Sequence, residues 1–70
     1  MRTVDARGLS CPQPVMMFTK ANKEDGSSPM DVLVDNNVSA ENVTRAARKN
    51  GWTVTAADAG DGVTRLELRK

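Results

Sequence analysis

Apolar positions recur along this chain with two different periods. Thr3-Val4-Asp5-Ala6 alternates weakly and predicts a short first strand that ends at Arg7-Gly8. From about Pro12 to Glu24 the spacing becomes helical: Val15 and Phe18 lie at i,i+3, and Met17 and Ala21 at i,i+4. Lys20, Lys23 and Glu24 supply the polar turns of that helix. Asp25-Gly26-Ser27-Ser28-Pro29 interrupts the periodicity with turn residues. Met30 to Asp35 is the clearest strand, with Met30, Val32 and Val34 on one face and Leu33 on the other.

Asp35-Asn36-Asn37 predicts a polar turn, followed by a second helix with Ser39 as N-cap. Val38 and Val43 are spaced as a hydrophobic staple around it, and Glu41 suits the first turn. Val43, Ala46 and Ala47 form a narrow apolar stripe. Arg45, Arg48 and Lys49 either simply complement the C-terminal dipole and solvate the helix or receive an acidic partner or RNA, and Asn50-Gly51 stops the helix. Trp52 to Ala57 and Val63 to Leu68 predict two more strands, joined across Gly60-Asp61-Gly62 as a hairpin. Leu66 and Leu68 face inward, and Trp52 covers the end of the core.

The expected order is therefore β-α-β-α-β-β. A strand-helix-strand unit requires a parallel, right-handed crossover, whereas the final hairpin must be antiparallel. With so little chain, both helices belong on one face of a mixed four-stranded sheet: an α/β two-layer sandwich. Seventy residues form one domain, 1–70, and a chain of this size buries only about 60% of its unfolded surface.

Composition narrows the chemistry. The chain contains no histidine and one cysteine, which excludes Cys-His and Ser-His catalysis, a disulfide framework and a cysteine-cluster metal site. No metal or cofactor is expected. Ten basic against nine acidic residues leave a net charge of +1. With one Trp, one Phe and no Tyr, the basic surface and stacking platforms that nucleic acid requires are thin. No apolar run approaches the roughly 20 residues of a membrane span, and Met1 to Asp5 lacks the apolar core of a signal peptide. A cytoplasmic setting is the expectation.

The single cysteine sits in Asp5-Ala6-Arg7-Gly8-Leu9-Ser10-Cys11-Pro12-Gln13-Pro14. Pro12 and Pro14 fit the opening turn of a helix, where a missing N–H costs nothing. Cys11 then falls at the N-cap, against the positive end of the macrodipole, which lowers a thiol pKa and raises its reactive fraction. Arg7 adds positive charge if the loop folds back. Against this stands the common fate of a free cysteine, packing as a small hydrophobe. A Gly-containing loop and flanking prolines favour a presented thiol. Met17 reads as core filler; Met16 is either filler or part of a soft rim around Cys11.

The same stretch, with the element order, resembles the TusA/SirA/YedF family of small sulfur-carrier proteins. The family signature Asp-x-x-Gly-Leu-x-Cys-Pro-x-Pro is met at every defining position from Asp5 to Pro14. Val34-Asp35-Asn36 and Ser39 to Val43 look most like the N-terminal module of YedF-type proteins, which are associated with selenium metabolism. Many of these continue into a DsrE-related domain, so a chain ending at Lys70 reads as a stand-alone version or an excised module. The resemblance implies that Cys11 accepts sulfane sulfur as a persulfide from a cysteine desulfurase or sulfurtransferase. It then passes that sulfur to an acceptor protein, as a sulfurtransferase-like carrier rather than a free-standing catalyst.

Supporting roles follow on the same footing. Pro12 and Pro14 hold the cysteine, Gly8 permits the loop geometry, and Arg7 steers a partner or the bound anion. Gln13 carries the one N–H between the prolines, available to face the persulfide, and Asp5 fixes the loop. Asp35 and Asn36 either line the same sheet edge or simply cap a turn. Two other functions compete: a thiol-based redox sensor acting through Cys11, and an interaction module in which Cys11 is inert.

Overall fold

In a computed structural model describing residues 2–10 and 12–70, six elements follow in the expected order. They are β1 (Arg2–Asp5), α1 (Gln13–Glu24), β2 (Met30–Val34), α2 (Asn37–Lys49), β3 (Thr53–Gly60) and β4 (Val63–Arg69). The sheet runs β1-β2-β4-β3. β1 pairs with β2 in parallel, and the β2–β4 and β3–β4 pairs are antiparallel. A parallel first pair leaves α1 as its crossover, and both helices pack on one face of the mixed sheet.

The core lies between these layers. Met30, Val32 and Val34 of β2 stand beside Leu68, Leu66 and Thr64 of β4 in register. Phe18 and Ala21 of α1 and Val43 and Ala47 of α2 close over them, all buried. Full burial of a side chain such as Phe18 stabilises the fold by about 1.5–3 kcal/mol. Met17, half-buried, packs against this core from α1. The opposite sheet face is polar, carrying Asp31 against Glu67 and Leu33 against Arg65. Ion pairs there, such as Arg69 to Asp31 at 3.6 Å, are exposed on one side and contribute little.

Several element boundaries differ from the sequence expectation by one residue or more. β1 begins at Arg2, not Thr3, because Arg2 pairs with Met30 in the parallel ladder, and its guanidinium reaches past the end of α1. It donates to the carbonyls of Ala21 (2.9 Å), Asp25 (2.6 Å) and Ser28 (2.9 Å). The second helix starts at Asn37, with Asn36 rather than Ser39 as N-cap: the Ser39 amide donates to Asn36 Oδ1 at 2.8 Å. Ser39 is thereby carried into the helix, 2% exposed, while Val38 is 60% exposed and makes no staple with buried Val43. Glu41 moves out of the first turn, which holds no acidic residue. β3 extends past Ala57 to Gly60, with an irregularity between Asp58 and Gly60.

The helix stop after α2 places the single tryptophan. Trp52 donates its N–H to the Ala47 carbonyl (3.0 Å) and Gly51 to that of Arg48 (3.1 Å), the paired bonds of a Schellman motif. Trp52 is then folded under the sheet end, 3% exposed. Its Nε1 donates to Asn22 Oδ1 at 2.9 Å. Asp61 and Gly62, with φ of 54° and 76°, form the two-residue connection of the β3–β4 hairpin.

Candidate functional site

The loop from β1 to α1 leaves the sheet at the carboxyl end of a parallel pair, where open α/β sheets place ligands. It is clamped along its length. The Ala6 N–H donates to the Leu33 carbonyl at 2.9 Å, carrying the β1–β2 ladder one bond further. Ala6 is buried, and Leu9 is half-buried against the core. Between them, Gly8 has φ +77°, a left-handed conformation that costs other residues about 1–2 kcal/mol. Its N–H donates to Asp35 Oδ2 at 2.7 Å. Asp35 Oδ1 accepts in turn from Asn36 Nδ2 at 3.3 Å.

Asp5 and Arg7 make a second, local clamp. Asp5 Oδ1 accepts from the Arg7 backbone N–H (3.1 Å) and Nε (2.8 Å), and Oδ2 accepts from Nη2 (2.8 Å). The fork geometry is the bidentate arrangement characteristic of arginine and carboxylate. The Arg7 side-chain hydrogen bonds, and then its backbone bond, hold the Asp5 carboxyl down at about 2. The same partner raises the pKa of Arg7. Locally the Asp5 carboxylate offsets the Arg7 charge, so this arginine presents little net field to an approaching anion.

Cys11, the residue on which the functional expectation rests, lies outside the described residues, and the expectation that the N-cap falls at position 11 is corrected. The N-cap position of α1 is Pro12. Its carbonyl accepts from Met16 N–H at 3.1 Å, the bond an N-cap carbonyl makes as the helix begins. Ser10, Pro12 and Gln13 are exposed, and Pro14 is buried in the first turn. The expectation that the Gln13 N–H is available to a ligand is corrected: it donates to the Ser10 carbonyl at 2.9 Å. With no N–H on either proline, the chain uses this amide to hold its own turn.

The structure thus brings Asp5, Arg7, Gly8, Asp35 and Asn36 to one end of the sheet. Met16 stands apart on the exposed side of α1, 62% exposed, beside Thr19, Lys20 and Lys23. Leu9 is the contributor that sequence reasoning left without a role. Its signal was an apolar residue inside an otherwise polar loop. Among the described residues no cluster of acidic or thiol side chains is placed to hold a metal ion. Nor, among the described residues, is any helix long and apolar enough to cross a membrane.

Three comparisons bear on this geometry. The family described as "Sulfurtransferase TusA" matches residues 2–70. A Methanocaldococcus jannaschii protein named "Putative sulfur carrier protein" is 32% identical over 71 residues, covering 100% of this chain and 95% of the relative. The crystal structure of a SirA-like protein from Desulfitobacterium hafniense superposes with a TM-score of 0.89 at 34% identity, covering 97% of this chain and 95% of that one. Sequence, length and fold agree from the first strand to the last, and the chain belongs to the TusA sulfurtransferase family.

Proposed function

We propose that this protein is a sulfur-relay carrier that holds sulfane sulfur as a persulfide on Cys11 and delivers it to an acceptor protein. The observation that carries the reading is the family match over residues 2–70 in a chain whose one cysteine lies in the signature from Asp5 to Pro14. The clamped loop supports it. Ala6, Gly8 and Leu9 hold the loop after β1 against the sheet.

Loading is a thiol exchange. The Cys11 thiolate attacks the terminal sulfur of a donor persulfide, R–S–SH. The donor S–S bond breaks with its electron pair leaving on the donor thiolate, and a new S–S bond forms at Cys11. There is no net oxidation, which suits a chain without histidine or a second cysteine. Unloading repeats the step with an acceptor thiolate. A selenium atom would travel by the same exchange as a selenosulfide. A reducing, cytoplasmic setting keeps the thiol free between rounds.

The test is intact-mass spectrometry after incubation with a cysteine desulfurase and free cysteine, with Cys11→Ser as control. The expected result is a gain of one sulfur atom, absent in the variant and reversed by a thiol reductant. No gain from several donors, with Cys11 shown free and reduced, would overturn the carrier reading. Formation of a stable sulfenic acid under mild peroxide would then favour the sensor.

A further inference from the structure

At the sheet edge opposite β1, α2 and β3 enclose a groove that the carrier chemistry does not use. It measures about 380 Å³ and is lined by Ala40, Thr44, Arg45 and Arg48 of α2, with Glu41 at its rim and Ala56 and Leu66 as its floor. Ala56 pairs with Leu66 in register and so lies on the helix-covered side of β3, yet it is exposed. The helical layer leaves β3 uncovered at Ala56.

β3 is also a sheet edge: it pairs with β4 alone among the described strands. Alternate N–H and C=O groups of an edge strand point away from its neighbour and are open to another chain. The devices that usually blunt such an edge are thin here. Thr53-Val54-Thr55-Ala56-Ala57-Asp58 has no proline and no lysine, and one charge. A helix lying beside an exposed strand edge is the arrangement in which extended peptides add a strand, with pockets for alternate side chains.

Charge selects the occupant. Arg45 and Arg48 line the groove, Lys49 follows at the end of α2, and all three are exposed. None of them belongs to an ion pair among the described residues, and Glu41 is the one acid opposing them at the groove. A second copy of this chain is disfavoured there. Antiparallel β3–β3 pairing about a twofold axis puts both helical layers on the same side, bringing the two cationic α2 faces together. We propose that the β3 edge and its groove dock an extended, acidic segment of a partner protein as a fifth strand. Its small apolar side chains would rest on Ala56 and Leu66, and its carboxylates would meet Arg45 and Arg48. This surface stands independently of what Cys11 carries.

The probe is a displayed library of random octapeptides selected against the whole protein, with the best binders resynthesised for ¹⁵N-NMR titration. Selection is expected to enrich peptides with acidic residues at alternate positions, which shift the amides of residues 53–58 and 40–48. Arg45→Glu/Arg48→Glu should weaken binding about tenfold or more, and Ala56→Trp, filling the groove floor, should abolish it. Retained dispersion of the amide spectrum shows that either variant is folded. No enrichment over an unrelated protein, enrichment without acidic bias, or binding indifferent to both variants would overturn the proposal. So would sedimentation showing a dimer of the free protein that Ala56→Trp dissociates, since the edge would then belong to a second copy.

Discussion

The backbone N–H of Gly8 and the carboxylate of Asp35, 27 residues apart, meet at 2.7 Å and tie the loop after β1 to the end of β2. This bond joins two segments that sequence proximity would never bring together. A charged acceptor makes it stronger than a neutral one, but its exposure leaves it competing with water. Asp35→Ala should therefore cost the fold little, about 0.5–1 kcal/mol in urea unfolding. Its effect should appear instead in the loop, as loss of hydrogen-exchange protection at the Gly8 amide. Asp35→Asn, which keeps an acceptor oxygen, should recover part of it. Unchanged exchange in Asp35→Ala would show that the bond does not hold the loop.

The start of α2 offers a sharper contrast. Asn36 caps the helix through Ser39 N–H, so Asn36→Ala should destabilise by about 1 kcal/mol, the usual value of a lost N-cap. Ser39 looks like the natural cap from sequence, yet its Oγ is buried with no hydrogen-bond partner among the described residues. Removing an unsatisfied buried hydroxyl is neutral or mildly favourable. Ser39→Ala should leave the thermal midpoint unchanged or raise it. A larger loss from Ser39→Ala than from Asn36→Ala would reverse the assignment.

That contrast also marks how far the sequence could be read. The strands β2 and β4 were legible because Met30, Val32, Val34, Leu66 and Leu68 alternate strictly, and period 2 admits one inward face. The Asn50-Gly51 stop was equally plain. Helix starts were not, because Asn36 and Ser39 are both good caps three residues apart and local pattern does not separate them. At the candidate site, the loop residues were visible as a motif, but the Gly8–Asp35 bond depends on strand pairing. The closure of the Gln13 amide onto Ser10 is a local turn, hidden by two prolines that suggested an open helix end. Arg2 gave no signal at all, since an arginine in a first strand looks like solvent-facing charge.

Arg2 is nonetheless predicted to be a structural residue. Its guanidinium serves the carbonyls of Ala21 and Asp25 at the C-terminal end of α1, where cations are favoured by the helix dipole, and that of Ser28 in the loop beyond. Arg2→Ala leaves those acceptors to solvent and should cost about 1.5–3 kcal/mol, the range for hydrogen bonds to a charged group. Arg2→Lys should restore only part, because an ammonium cannot reproduce the planar fork. Urea unfolding followed by Trp52 emission measures both. A loss below about 0.5 kcal/mol for Arg2→Ala, the level of an ordinary surface substitution, would remove Arg2 from the framework.

The Asp5–Arg7 clamp predicts a pH dependence with a definite sign. The Asp5 carboxyl titrates at about 2 in the folded protein against 3.8 for the free group, chiefly through the Arg7 side-chain hydrogen bonds. A depressed carboxyl pKa contributes stability above the unfolded value and loses it as pH falls through the folded one. The clamp should therefore be intact at pH 4 and above, and should open between about pH 4 and pH 2. The loop should be insensitive to pH near neutrality. Carboxyl ¹³C NMR of Asp5 checks this directly: a midpoint near 2 is expected, rising toward 3.8 in Arg7→Ala. Both side chains are half exposed, so high salt should also raise the midpoint by screening the pair. A midpoint already near 3.8 in the unaltered protein would mean that Asp5 and Arg7 do not pair in solution, leaving the Gly8–Asp35 bond to order the loop.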